Sequence, residues 1–316
     1  MPDRKSGSLG EAYGEALVEL GDRDASLIAV DAAVSGRSHG GLFATRFPDR
    51  FLSFGMIEPT MVAIASGLAL GGRTVFASGA AASMAGQAYG AVRLAACYNR
   101  ANVKIVATHG GLLVGGEGAP FQMLEDIALM RSLPGMTVIV PGDAPSTRSA
   151  VLAVASFEGP AYLRLTSVNL PIVTDGAFTL GRAGRLREGS DLTIVAIGAM
   201  LGRALDVAEE LHQAGVEARV LDFASLKPAD EKSLIQAARE TGAILTMEEH
   251  NVLTGLGSLV ASAISTTDPV PVRQVGVPDL FGERGDPWKL LDHYGLSQKH
   301  ALDEAWELLK LRGKVS

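Results

Sequence analysis

The chain has 316 residues, 47% of them hydrophobic and 20% charged, which is enough for two domains of ordinary size, each with its own core. A formal charge of −7, an isoelectric point near 5.4 and the lack of any lysine- or arginine-rich run argue against a nucleic-acid footprint. Apolar stretches are interrupted well before membrane-spanning length, and Met1-Pro2-Asp3-Arg4-Lys5 lacks an apolar signal core, so a cytoplasmic protein with small-molecule or protein partners is expected.

In chain order, Ser8-Leu9-Gly10-Glu11 has the form of a capping box and predicts a helix to about Leu20, followed by the buried strand Leu27-Ile28-Ala29-Val30. Asp31, Ser35, Arg37, Ser38 and His39 then lie in a loop beyond that strand's carboxyl end. Open α/β sheets place ligands there, although such a loop also reads as simply solvated. Phe54-Gly55-Met56-Ile57-Glu58 reads as an apolar strand ended by a carboxylate, facing a helix over residues 60–70 with almost no polar side chains. Desolvation would favour protonated Glu58, and a heterocycle nitrogen could stabilise that form. Equally, the carboxylate could meet the free N–H groups of the helix start. Ala63, Ala65, Ser66, Gly67 and Ala69 permit close helix packing, in the core or across a dimer contact.

A strand is predicted at residues 74–78, then an alanine-rich turn, a helix over 84–99 that packs the lone Cys97, and a strand over 103–108 that ends at His109. The following loop, residues 110–118, holds five glycines and lets backbone approach a ligand closely. His109 reads either as a structural donor or as a catalyst. A helix at 125–131, a strand at 137–140, a helix at 144–156 and a strand at 161–165 complete a first domain over 1–170. Residues 171–190 read as a surface linker. Alternation resumes over 191–316, with strands at 192–197, 218–222 and 243–247, the last running into Glu248-Glu249-His250. Helices are predicted at 202–215, 231–240, 257–264 and 299–310. The fold class is α/β, with two domains, each a mostly parallel sheet flanked by helices.

Gly55-Met56-Ile57-Glu58, Thr108-His109-Gly110-Gly111-Leu112, Leu124-Glu125-Asp126-Ile127-Ala128-Leu129-Met130-Arg131 and Glu248-Glu249-His250 before Gly255-Leu256-Gly257 jointly resemble the transketolase family. The form resembled is its C-terminal half made as a separate subunit. The likeness extends through Phe223-Ala224-Ser225-Leu226-Lys227-Pro228 to Leu290-Leu291-Asp292-His293-Tyr294-Gly295-Leu296. It implies thiamine diphosphate chemistry, with this chain supplying a pyrimidine-binding domain and a transketolase C-terminal domain. In the family, the glutamate matching Glu58 bonds a pyrimidine nitrogen and promotes the imino tautomer that takes the thiazolium C2 proton, and a two-carbon ketol unit passes from ketose to aldose.

On this resemblance Glu58 is catalytic, and Met56, Ile57, Glu58, Ala80, Ser83 and Gln87 line the cofactor. Ser35, His39, His109, Glu117, Phe121 and Ser167 face substrate, and no residue of this chain holds metal. The family's Gly-Asp-Gly with its distant Asn, which holds magnesium and the diphosphate, is missing; Gly142-Asp143-Ala144 and Gly285-Asp286-Pro287 do not fit. A companion N-terminal subunit carrying that motif is therefore implied, in a heterotetramer with its sites at subunit interfaces.

Three departures bear on the substrate. Ala80 and Ser83 stand where the family usually stacks aromatic residues on the aminopyrimidine, Phe121 replaces a substrate-handling histidine, and Thr166 and Ser167 replace an arginine that holds the substrate phosphate. An atypical substrate, unphosphorylated or more apolar, is the expectation. The other readings are a beta subunit of a 2-oxoacid dehydrogenase-like or acyl-transferring thiamine enzyme, and a non-catalytic regulatory partner.

Overall fold

The computed structural model describes residues 4–32 and 39–313. Its strands in chain order are β1 (Ser6–Gly7), β2 (Ile28–Asp31), β3 (Phe51–Ser53), β4 (Val75–Ala80), β5 (Val103–Thr108), β6 (Thr137–Ile139), β7 (Ala161–Arg164), β8 (Leu170–Pro171), β9 (Gly184–Arg187), β10 (Leu192–Ala196), β11 (Ala218–Asp222), β12 (Ser225–Lys227), β13 (Ile244–Asn251) and β14 (Val272–Val277). Seven of them form a first sheet in the order β12-β6-β7-β5-β4-β2-β3, and five form a second in the order β14-β13-β10-β11-β9. Only the edge strands β12 and β9 run antiparallel within these sheets. Helices cover both faces, so the central strands are buried throughout and read as continuous apolar runs.

Lys104 is the exception within β5. Its stem is buried, its ammonium donates to the Phe157 and Gly159 carbonyls, and burial pushes its pKa down to about 7.

Several elements differ from the sequence reading. Ser8 caps the helix Leu9–Arg23 by accepting the Glu11 N–H, as its position implies. The helix read over 84–99 is instead two stretches of widened π turns, Ala82–Gln87 and Val92–Tyr98, joined at Tyr89–Ala91. Within the stretch read as linker, β9 pairs with β11 as the edge of the second sheet. The strand read at 243–247 continues to Asn251, so Glu248, Glu249 and His250 are buried strand residues. The sequence reading also missed β14 and the helices Gly41–Arg46 and Pro287–His293.

The two sheets are packed into one another. In the second, β10 lies between β13 and β11, where the winding reverses, and the crevice at its carboxyl end would ordinarily receive a ligand. Here the first unit fills it. A Cβ on Gly142 would sit 2.4 Å from Leu201, and one on Gly198 would sit 3.0 Å from Val140. The Val140 N–H donates to the Ala224 carbonyl, beside the pairing of β12 with β6.

Candidate active site

The carboxyl edge of the first sheet gathers the residues singled out from sequence. Register places Asp31 beside Ser53 and Ser78, Ala80 beside Thr108, and Ala107 beside Arg164. The segments carrying Glu58, Ala80, His109 and Ser167 therefore leave the sheet from one edge. Ser35 lies outside the described residues.

Glu58 does not end a strand. β3 stops at Ser53, Gly55 turns the chain with φ +70°, and Glu58 is the first residue of the helix Glu58–Leu70, because Pro59 fits its first turn. Glu58 is 4% exposed, and among the described residues its carboxylate has neither hydrogen bond nor ion pair. Around it the surface is apolar, with Met56 73% and Ile57 48% exposed. Ile64, Leu70, Leu94 and Tyr98 are exposed too, the first two on the same helix and the others on the helical segment packed against it.

Ala80 ends β4, Ser83 is buried in the first π turn, and Gln87 is exposed at its end. No aromatic ring stands at the first two positions. His39 has φ +61° and rests its ring on Gly10, where a Cβ would meet it at 2.1 Å. It lines a cavity of about 490 Å³ with Glu11, Glu15, Gly41 and Leu42.

His109 is also held in the left-handed region, with φ +60°. Its Nδ1 lies 2.9 Å from the Thr108 hydroxyl, which itself donates to the Gly79 carbonyl. Since that hydroxyl donates to Gly79, it accepts from Nδ1, which places a proton on that nitrogen. Beyond it, Leu112–Glu117 forms a 3-10 turn kinked at Gly115. Glu117 and Phe121 follow, both half-buried. Ser167 is exposed, yet its hydroxyl donates to the Leu113 carbonyl and so braces this loop.

The loop is seated by a buried charged network that the sequence reading did not assemble. Glu249 accepts the Leu113 N–H at 2.7 Å. Arg164 donates to Asp126 at 3.0 Å and to the Glu249 and Met123 carbonyls, and the Tyr162 hydroxyl completes Asp126. Burial pushes Glu249 up to about 7 against the pull of Arg164. Glu248, buried and raised to about 7, accepts the N–H groups of Leu256 and Gly257 and so caps the next helix. His250 is pushed down to about 4 by burial and accepts the Ala128 N–H as a neutral ring. Glu249 and His250 thus tie the second unit to the first, while Glu248 fixes the helix that follows it. The sequence signal of this tie was the Gly110-Gly111 pair: a Cβ on Gly111 would lie 2.3 Å from Glu249, and one on Gly110 would lie 2.7 Å from Arg164.

The two Gly-Asp positions are helix caps. Asp143 accepts the N–H groups of Ser146, Val173 and Thr174, and Asp286 accepts that of Lys289. Among the described residues no cluster of three or more His, Cys, Asp or Glu could hold a metal ion, and no helix is long and apolar enough to cross a membrane.

Comparison with known proteins gives a consistent result. The family model of the transketolase pyrimidine binding domain matches residues 5–173, and that of the transketolase C-terminal domain matches residues 181–301. The chain is 36% identical over 303 residues to one subunit of an apulose-4-phosphate transketolase from Phocaeicola vulgatus, covering 95% of this chain and 97% of that one. It is also 36% identical over 303 residues to a 6-deoxy-6-sulfo-D-fructose transketolase subunit from a Clostridium species, covering 95% and 94%. Among solved structures, a split gene transketolase described as an inactive beta4 tetramer superimposes with a TM-score of 0.91 at 44% identity, covering 96% of this chain and 99% of that one.

Proposed function

This chain belongs to the transketolase family, and from that premise we propose that it is the pyrimidine-binding and C-terminal subunit of a split, thiamine diphosphate-dependent enzyme that transfers a two-carbon ketol unit and works only with a companion chain. The observation that carries this reading is Glu58, a buried carboxylate with no partner among the described residues, at a helix start bordered by exposed Met56 and Ile57. An aminopyrimidine nitrogen would supply the hydrogen-bonding partner that this carboxylate lacks among the described residues. The small side chains of Ala80 and Ser83, in place of aromatic rings, leave room for the ring.

Bound thiamine diphosphate supplies the carbanion-stabilising heterocycle on which two-carbon transfer depends. Glu58 would hold a ring nitrogen of its pyrimidine. His109 and Glu117, polar groups carried by the loop beyond β5, are the ones that can meet sugar hydroxyls. Phe121 cannot, and its ring excludes water from the loop. The diphosphate and magnesium fall to a companion subunit with a Gly-Asp-Gly motif, since both Gly-Asp positions here are spent as helix caps. The apolar face at Met56, Ile57, Ile64, Leu94 and Tyr98 suits burial against that companion or a second copy within a heterotetramer. The inactive tetramer of beta chains formed by the split-gene relative agrees with a requirement for the companion. The named substrates of the two subunit relatives, a sugar phosphate and a sulfosugar, support an atypical substrate here, but one with an anionic end rather than a more apolar one. A soluble, cytoplasmic setting in carbohydrate metabolism follows from this reading.

The test is calorimetric titration of thiamine diphosphate and magnesium into the chain alone, into its mixture with the companion, and into the mixture carrying Glu58→Gln. Tight binding is expected only in the mixture, with turnover lost in the variant. Turnover by the lone chain, or full activity of the Glu58→Gln complex, would end this reading.

A further inference from the structure

We propose that Arg284, carried by the second unit, is a specificity-determining residue that meets the anionic end of a sugar substrate, a phosphate or a sulfonate; this deepens the ketol-transfer reading and rests on it. Residues 282–287 lie directly on the loop that carries Glu117 and Phe121. A Cβ on Gly282 would sit 2.2 Å from Gln122, one on Gly115 would sit 2.8 Å from Pro287, and one on Gly118 would sit 2.7 Å from Cγ and 3.2 Å from Nε of Arg284. The Gln122 amide donates to the Glu283 carbonyl at 2.9 Å and locks the two segments together. Gly118, at φ +75°, is thus required twice, for its backbone and for the room it leaves the arginine stem.

Arg284 is exposed, and it makes no hydrogen bond or ion pair with any described residue, the neighbouring Glu283 and Asp286 included. Arg164, which touches the same loop at Gly110 and Gly111, is buried and tied to Asp126 and two carbonyls. At the positions where a cation would be sought from sequence stand Thr166 and Ser167, and the Ser167 hydroxyl is spent on the loop. The charge missing there is available from the other unit, one residue beyond Glu117 along the loop. A planar guanidinium matches phosphate or sulfonate oxygens in a bidentate fashion, whereas a neutral sugar end gives it nothing to neutralise.

The experiment measures binding of D-ribose 5-phosphate and D-ribose to the assembled two-chain complex by calorimetry, for wild type, R284Q and R284K. Wild type should prefer the phosphorylated sugar, R284Q should cut that preference about tenfold or more, and R284K should restore part of it. Competition by inorganic phosphate or by isethionate that is lost in R284Q would support the assignment and tell phosphate from sulfonate. Absent or equal binding of the two sugars in wild type would overturn it. So would an R284Q effect that is nil or equal for both sugars, the pattern of a loop brace. Binding is read apart from turnover, so failure of ketol transfer appears as lost activity and failure of this assignment as an unchanged preference. Unfolding temperature checks that the exposed substitution leaves the fold intact.

Discussion

Arg164→Met offers the sharpest test of how the substrate loop is held. The guanidinium is about 5% exposed, bonds Asp126 through Nε at 3.0 Å and spans to the Glu249 and Met123 carbonyls. Removing it leaves Asp126, wholly buried, with only the Tyr162 hydroxyl, and leaves two buried carbonyls without this donor. Breaking a buried pair from one side costs about 3–5 kcal/mol. For a chain of this length the entropy of unfolding is on the order of 0.7 kcal/mol/K, so the midpoint should fall by about 4–8 °C. Calorimetry at pH 7 would read it. Because the cost comes from the charge left behind, Arg164→Met with Asp126→Leu should recover much of the loss. A single variant within about 1 °C of wild type, or a double variant no better than the single one, would refute the reasoning.

Two further outcomes follow from the same geometry. Burial, reinforced by Asp143, raises Asp222 to about 7, so between about pH 4 and pH 7 the folded chain holds a proton the unfolded chain has released. Stability from this group is complete below about pH 4 and is lost as pH rises through 7. Glu248 and Glu249, raised to about 7 by burial, act in the same direction. Asp222→Asn should flatten the decline of unfolding temperature between pH 5 and 8 and stabilise the chain at pH 8 by a few kcal/mol at most; an unchanged slope would contradict the assignment. Ile64→Glu, on the exposed apolar side of the Glu58 helix, should prevent association with the companion in size-exclusion chromatography while leaving the unfolding temperature of the lone chain within about 1 °C, and an intact complex would remove that face as the docking surface.

The alternation of strands and helices was legible because the central strands are buried on both faces, which leaves an unbroken apolar signature. The family motifs then pointed to Glu58 without its local structure, since nothing in Phe54-Gly55-Met56-Ile57-Glu58 tells a strand end from a helix start. Glu248-Glu249-His250 ended the predicted strand because three polar residues in succession argue for solvent. They are buried because Glu249 and His250 find partners on the other unit, more than a hundred residues away in the chain, while Glu248 caps the helix that follows. Arg284 and Gly118 share that difficulty: neither neighbourhood predicts the other, and only the folded chain puts a guanidinium stem on that glycine. The π turns over 82–98 were invisible for a different reason, since Ala- and Gly-rich sequence is equally at ease with ordinary and widened helical turns.

The strand β12 has a consequence for anyone dividing this chain. It comes from the second half yet closes the outer edge of the first sheet, along β6. A fragment ending near residue 175 would keep the Glu58 helix but bare the backbone of Thr137–Ile139, an apolar strand with no charged side chain to discourage pairing. Such a fragment is expected to aggregate edge to edge, so the second half serves the first as a permanent stopper as well as a neighbour.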